Sequence, residues 1–360
     1  ALDANTTASN NTAVGKSSMG ANTTGASNTA VGMQSLAVNT TASNNSAVGF
    51  NALTANTTGA SNTAVGSGSM DANTTGGSNT SLGKDSLGAN TEGGSNVALG
   101  HNALESNTTA SNNTGVGKSA LAANTTASDN TAVGYQSLTS NTTGLKNTAL
   151  GGASMQTNTT GDFNTAVGRE ALQKNTTASN NTAVGYQALE DNTTGAENTA
   201  VGSLSLDANT TGTRNTGIGS ESLSANTEGT DNTATGKNSL ATNTTGNYNS
   251  SFGRNSLFSN TTASNNTAVG YYSLFANTTG VENTAVGANA GDALTTGGSN
   301  VALGYLALSS DTTGQRSVAI GRAALFAQNL SGGALSYNTA IGYNAGTAVT
   351  TGTNNTLIGG

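Results

Sequence analysis

One short phrase governs the whole chain. Asn-Thr-Ala-Val-Gly, or a close relative of it, begins at Asn11 and returns every 17 residues to Ser317, eighteen intervals without slippage. One interval of 21 residues then leads to Asn338, and a last one of 17 to Asn355. Numbered from its first Asn, the unit is N-T-A-V-G-x-x-(A/S)-L-x-x-N-T-T-(G/A)-x-x. A disordered tract has no reason to hold register in this way. A stack of similar turns must hold it, because each turn shelters its apolar side chains only against its neighbours.

The columns of the repeat identify the kind of stack. Column 4 is apolar in twenty of twenty-one units, with Thr235 the exception, and column 9 is Leu or Met in nineteen. Column 5 is Gly in every unit, from Gly15 to Gly359, and charge is confined to columns 6, 7, 10, 11, 12, 14, 16 and 17. That is the layout of a coil with a sheltered interior and wet corners. Two-helix repeats need about 33 to 47 residues, and a fixed Gly in so short a unit breaks a helix. Short parallel β-segments fit, one coil per unit, stacked about 4.8 Å apart into a rod on the order of 100 Å long. The chain has no Pro, as it must if each strand residue donates to the next coil. The expected fold is all-β, a parallel β-solenoid or β-roll of about twenty-one 17-residue coils. It is expected as one continuous solenoid over residues 1–360, regular over 1–282, with variant coils and a four-residue insertion over 283–360.

Alternation along a strand puts columns 2 and 4 on one face and column 3 on the other. Column 2 becomes Val at Val97, Val301 and Val318, which suggests an inward face. Val14 and Val31 are therefore expected inside, with Leu36 and Leu53 of column 9. Two units act as internal controls. Where column 9 becomes Gly (Gly291, Gly346), column 12 changes from Asn to Leu294 and Val349, so both columns should share the interior. Asn22, Asn39, Asn56 and their equivalents in column 12 are then expected to form a ladder of amides along the stack. Ala in column 15 always accompanies Asn or Asp in column 17. This suggests that either Gly at 15 or Asn/Asp at 17 takes the positive φ of a turn. The tiny residues of columns 3 and 8 are expected outside, where they let identical chains pack side by side; the alternative is that they face inward in a coil too thin for anything larger.

Composition removes several functions. Eleven basic residues are scattered over a chain of net charge −7, which excludes a nucleic-acid footprint. Without Cys there is no thiolate nucleophile or thiolate metal site, and no apolar run approaches the roughly 20 residues of a membrane helix. His101 stands alone, and the pair Glu190–Asp191 has no repeating partners, so paired-carboxylate chemistry is not expected. No catalytic, cofactor or metal residue is expected, and the chain is read as a non-enzyme. Fifteen Asn-Thr-Thr triplets in column 12 are formal N-glycosylation acceptors, but an inward ladder would close them to sugar. Corner residues Asn10, Asn44 and Asn112, in Asn-Asn-Thr or Asn-Asn-Ser, remain candidate glycosylation sites. Column 6 carries Phe50, Tyr135, Tyr186, Tyr271, Tyr305 and Tyr343; these aromatics either stack on sugars or cover the coil edge.

Several of these units resemble known repeats. Ser317–Gly321 (SVAIG), Asn96–Gly100 and Asn300–Gly304 (NVALG) and the many NTAVG units are similar to the repeat of trimeric autotransporter adhesin heads. The resemblance implies a left-handed parallel β-roll with three chains about one axis, although the coil here is longer than the adhesin unit. NTAVGYQAL (Asn181–Leu189) and the NAG…TTG variant (Asn289–Gly297, Asn344–Gly352) resemble phage-type tail fibres and bacterial surface fibres. The expected function is a structural subunit of an extracellular fibre or adhesin shaft, on a cell or virion surface. Its expected partner is itself, as a trimer or filament, with surface glycans as further partners. The chain starts in column 8 and stops in column 6 without an atypical unit, so end-on continuation is expected. A receptor- or glycan-binding tail-fibre segment is one alternative. An ice-binding solenoid is another; it needs a flat outward Thr face, which the alternating Thr of columns 13 and 14, broken by Glu92 and Glu228, does not supply.

Overall fold

The computed structural model describes all residues, Ala1–Gly360. It has no helix and twenty-one strands of three residues each. The fold is all-β, a parallel β-solenoid whose strands follow the 17-residue period. Two compact units are distinguishable, Ala1–Asn180 and Asn181–Gly360. In the first, β1 (Thr12–Val14) to β10 (Thr165–Val167) stack in parallel, like against like: Thr12 lies opposite Thr29, Ala13 opposite Ala30 and Val14 opposite Val31. In the second, β11 (Thr182–Val184) to β21 (Thr356–Ile358) do the same. Register survives the insertion, where Val318 pairs with Thr339 and Ile320 with Ile341.

The rest of each coil is turn, and the turn also bonds to its neighbours. In the coil that starts at Asn28, the Gln34 N–H donates to the Lys16 carbonyl at 2.9 Å and the Leu36 N–H to the Ala52 carbonyl at 3.0 Å. Backbone pairing therefore extends well beyond the strand, and a chain without Pro can supply it. Positive φ recurs at columns 7, 9 and 17, as in Gln34 (61°), Leu36 (50°) and Asn44 (63°). Column 5 needs Gly for two reasons. Its φ lies between 128° and 149° in every coil, a region that side chains rarely enter, and a Cβ on Gly100 would sit 2.5 Å from the Gly117 carbonyl oxygen. The turn expectation for column 15 is corrected. Gly25 and Gly59 have no positive φ, whereas column 17 is positive whatever its residue, including Lys146, Phe163 and Arg214.

Asn dominates the interior. In column 12, Asn39 Nδ2 donates to Asn22 Oδ1 at 2.8 Å and to the Ala42 carbonyl at 3.0 Å, and Asn56 repeats the pattern on Asn39 and Gly59. Asn22, Asn39 and Asn56 are fully buried, as are Leu36 and Leu53. A second Asn column was not foreseen. Asn28 of column 1 is buried, its Nδ2 donates to the same Ala42 carbonyl at 2.8 Å, and its Oδ1 accepts the Asn45 N–H at 2.9 Å. One carbonyl thus takes two amides and closes the coil. Its sequence signal was plain, since column 1 is Asn in twenty of twenty-one units.

The strand is turned over relative to expectation. Column 3 is inside, with Ala30, Ala47 and Ala64 fully buried, and column 8 is inside with it, as in Ser35 and Ala52. Val14 and Val31 point outward, 57% and 36% exposed, and no residue of column 4 is buried. The reason is room. A Cβ added to Gly115, in column 3, would lie 3.3 Å from Leu104 Cγ and 3.2 Å from the Ala120 carbonyl, so the inner side of the strand holds a methyl and little more. The small columns 3 and 8 are consequently core, and they are not available as a face between chains.

Variant coils keep the interior filled. A Cβ on Gly291 would meet Leu294 Cδ1 at 3.1 Å, so Leu294 occupies the space that a column 9 side chain fills elsewhere. This ends the amide ladder, and Asn277 Oδ1 is left buried without a partner. At the insertion, Gln328 Nε2 donates to Asp311 Oδ2 at 2.6 Å, and Asn338 Nδ2 donates to Gln328 Oε1 at 2.8 Å. Ser317 has no amide oxygen to offer, and the Asn338 N–H donates to Ser336 Oγ instead.

Candidate functional site

With the interior closed by Asn and Leu, the chemistry that remains is on the surface. Its most regular part is the outer face of the strands. Columns 2 and 4 project there from every coil, giving an array of Thr beside Val, Leu or Ile, without a charge in either column. In the first unit, Val14, Val31, Val48 and Leu82 are exposed members of this array; in the second, Val201, Ile218 and Phe252 are. Sequence reasoning missed this face because the absence of charge in columns 1 to 5 is equally the mark of a core and of a dry interface.

Column 6 borders the strand face just past the column 5 glycine. It holds seven of the eleven basic residues, Lys118, Lys237 and Arg322 among them, and no acid. The aromatics expected there are all exposed: Phe50 and Tyr135 in the first unit, and Tyr186, Tyr271, Tyr305 and Tyr343 in the second. Two small clusters involve them. The Arg322 guanidinium lies over the rings of Tyr305 and Tyr343, at 5.8 and 5.3 Å, and its Nη1 donates to Tyr343 Oη at 2.9 Å. Tyr271 tilts against Tyr272, which stacks on Phe275, itself stacked on Phe258. Within the second unit, the Arg322 guanidinium thus brings Tyr305 and Tyr343 together along the stack, and the other cluster packs Tyr271 against Tyr272 of its own coil.

Acidic side chains gather on another corner, chiefly column 10. Asp71 lines a shallow open depression with Asp85 and Glu105, and burial, opposed by its backbone hydrogen bonds and aided by the Asp85 charge, raises its pKa. Asp207 is pushed up to about 6, first by burial, with the charges of Asp191, Glu190 and Glu221 adding to it. Asp292 is raised by burial although Asn289 Nδ2 donates to it at 2.9 Å. No group of three or more His, Cys, Asp or Glu is placed to hold a metal ion, and no helix is long and apolar enough to cross a membrane. His101 lies exposed in column 6.

The candidate sugar acceptors separate by column. Asn22, Asn39 and Asn56 are buried, whereas Asn10, Asn44 and Asn112 are exposed with φ near 60°. The hydroxyls of Thr23 and Thr40, in column 13, donate to backbone carbonyls of the next coil at 3.1 and 3.3 Å, which ties them to the stack. Comparison with protein-family models and with curated proteins gives no match.

Proposed function

We propose that this chain is a structural shaft that assembles with further copies of itself through the outer strand face. One observation carries the proposal: column 4 is apolar in twenty of twenty-one coils and in none is it buried by its own chain. A side chain kept apolar at that frequency without an internal use is best explained by an external one. Size agrees. The ten strands of the first unit, at about 4.8 Å spacing and about 3.3 Å per residue, present roughly 480 Å². Two such faces in contact bury about 1,000 Å², the threshold for specific association. Parallel copies would set Val against Val and Thr against Thr, with no charge to desolvate. The resemblance to adhesin heads and tail fibres supports a small bundle about a common axis and supplies the setting, a cell or virion surface.

The test is the mass of the purified chain in solution by light scattering, before and after Val116→Glu and Val133→Glu together. The expected result is an oligomer that the double variant reduces to monomer without loss of β-structure. A monomeric parent chain would end the proposal.

A second reading is favoured by the outward Thr of column 2. Thr hydroxyls and methyls beside Val, repeated at about 4.8 Å along the stack, would give an outward Thr array of the kind an ice-binding solenoid needs, interrupted at Val97, Val301 and Val318. Thermal hysteresis of the monomeric form separates the two readings, since a shaft subunit has none.

A further inference from the structure

The fold sorts the N-glycosylation acceptors into two chemically different sets. Fourteen of the fifteen Asn-Thr-Thr triplets place their Asn in the buried ladder of column 12. In that ladder both amide hydrogens are spent, as at Asn124, whose Nδ2 donates to Asn107 Oδ1 at 3.0 Å and to the Ala127 carbonyl at 2.9 Å. Asn79 and Asn249 of column 1, also in acceptor triplets, are buried as well, and each donates Nδ2 to a column 15 carbonyl, of Gly93 and of Ala263. A sugar on any of these would have to occupy the core. The second set is Asn10, Asn44, Asn112, Asn180, Asn265 and Asn354 of column 17, each followed by Asn and then Thr or Ser. All six are exposed and stand at a corner in left-handed conformation, with φ between 60° and 63°. Asn5, in the first coil, and Asn329, in the insertion, are exposed acceptors of neither kind.

Spacing within the second set provides an independent observation. Within the first unit, the intervals from Asn10 to Asn44, Asn112 and Asn180 are 34, 68 and 68 residues, that is two, four and four coils. The closest pair is thus about 10 Å apart at about 4.8 Å per coil, enough for two sugar chains side by side. The segment Thr-Thr-Ala-Ser-Asn-Asn, which generates five of these sites, recurs on adjacent coils once, and there Asp129 replaces the Asn that would neighbour Asn112. Asn112 Nδ2 donates to Asp129 Oδ1 at 3.1 Å. Buried acceptors of column 12 stand on adjacent coils, as at Asn39 and Asn56, whereas no two column 17 acceptors do.

We infer that the column 17 asparagines are N-glycosylation sites used on the folded chain, and that the fold closes the ladder asparagines to the same transfer. The donor class is a lipid-linked oligosaccharide. The Asn amide nitrogen forms a bond to C1 of the first sugar as the C1–O bond to the lipid diphosphate breaks. The lipid diphosphate leaves, and the displaced amide proton passes to a base of the transferase.

The test treats the purified folded chain with a single-subunit oligosaccharyltransferase that requires only Asn-X-Ser/Thr, and with its lipid-linked donor, followed by glycopeptide mass spectrometry. A parallel reaction uses chain unfolded in urea and diluted into the assay, and a peptide of residues 8–14 serves as a standard for enzyme activity. The expected result is sugar at Asn44, Asn112, Asn180 and Asn265 in the folded chain and none at Asn39, Asn56 or Asn124, with both sets modified from the unfolded state. Asp129→Asn adds an acceptor next to Asn112, and single molecules carrying sugar at both positions should be at least tenfold rarer than independent occupancy predicts. Column 17 sites left bare in the folded chain while the standard peptide reacts would overturn the inference. So would sugar on the ladder of a chain that keeps its β-structure.

Discussion

Asn39 hands one amide hydrogen to Asn22 Oδ1 in the coil before it, at 2.8 Å, and the other to the Ala42 carbonyl three residues ahead in its own coil, at 3.0 Å. The first bond runs along the stack and the second bends the chain, so one side chain joins coils and shapes them. No other residue type supplies two donors and an acceptor in so short a side chain. Leu at column 9 contributes apolar burial beside it, but Asn sets the geometry.

Truncation of that amide deep in the first unit should therefore be costly. Asn124→Ala removes donors from Asn107 Oδ1 and the Ala127 carbonyl and takes the acceptor from Asn141 Nδ2. The Ala127 carbonyl keeps the Asn113 amide and Asn141 Nδ2 keeps the Gly144 carbonyl, so the main loss is at Asn107 Oδ1. A buried acceptor deprived of its donor costs about 1–3 kcal/mol, visible as a lowered urea midpoint and as faster amide exchange in the flanking coils. Asn124→Leu should be worse alone than combined with Leu121→Gly, because Gly291 and Leu294 show that the larger side chain needs the column 9 space. Equal midpoints for the single and double variants would refute the shared-space argument.

Two glycines one residue apart in the repeat should behave oppositely. Gly100→Ala places a methyl against the Gly117 carbonyl at a φ of 134°, which combines a clash with a backbone conformation costing about 1–3 kcal/mol for a side chain. Gly152, in column 6, has nothing within 4 Å of an added Cβ and no positive φ. Gly152→Ala should leave the thermal midpoint within a degree or two of the parent, whereas Gly100→Ala should lower it by several degrees.

Much of this was legible in the letters. The 17-residue period fixes the coil, and the exchange of Gly291 for Leu294 reveals that columns 9 and 12 face each other. Strand parity was not legible. A three-residue strand puts Thr and Val on one side and Ala on the other whichever way it turns, and large apolar residues suggest the inside by habit. What decides is the cross-section: with Leu104 and the Asn columns already inside, the space facing Gly115 accepts only a methyl. Room inside a coil is a property of the closed ring, and no single column carries it. The positive φ of Lys146 and Phe163 escaped for a similar reason, because coil closure overrides residue preference.

That parity makes a direct prediction. Ala132 is fully buried and its neighbour Val133 is 37% exposed. Ala132→Leu should prevent the coil from closing, with loss of soluble folded protein or a fall in stability of about 1–3 kcal/mol, the usual cost of overpacking. Val133→Thr should fold as the parent does and change only assembly. The opposite ranking by circular dichroism melting would put the strand back the other way round.

Acid titration offers a further check, on a corner and away from the core. Asp207 has its pKa raised from 3.8 to about 6, by burial first and by Asp191, Glu190 and Glu221 after it. Between those two values the folded chain holds a proton that the unfolded chain has released. Stability then falls as pH rises, because the unfolded state binds fewer protons than the native one. The contribution of this group is therefore greatest below about pH 4, declines between about 4 and 6 and is flat above. Asp207 is partly open to solvent, which screens the effect, so the measurement should be a difference: the urea midpoint of the parent minus that of Asp207→Asn, followed from pH 4 to 7. The parent should lose ground to the variant between about pH 4 and 6 and hold level from there to 7. A difference that stays constant with pH would show that the aspartate titrates normally and that its corner is wetter than its surroundings imply.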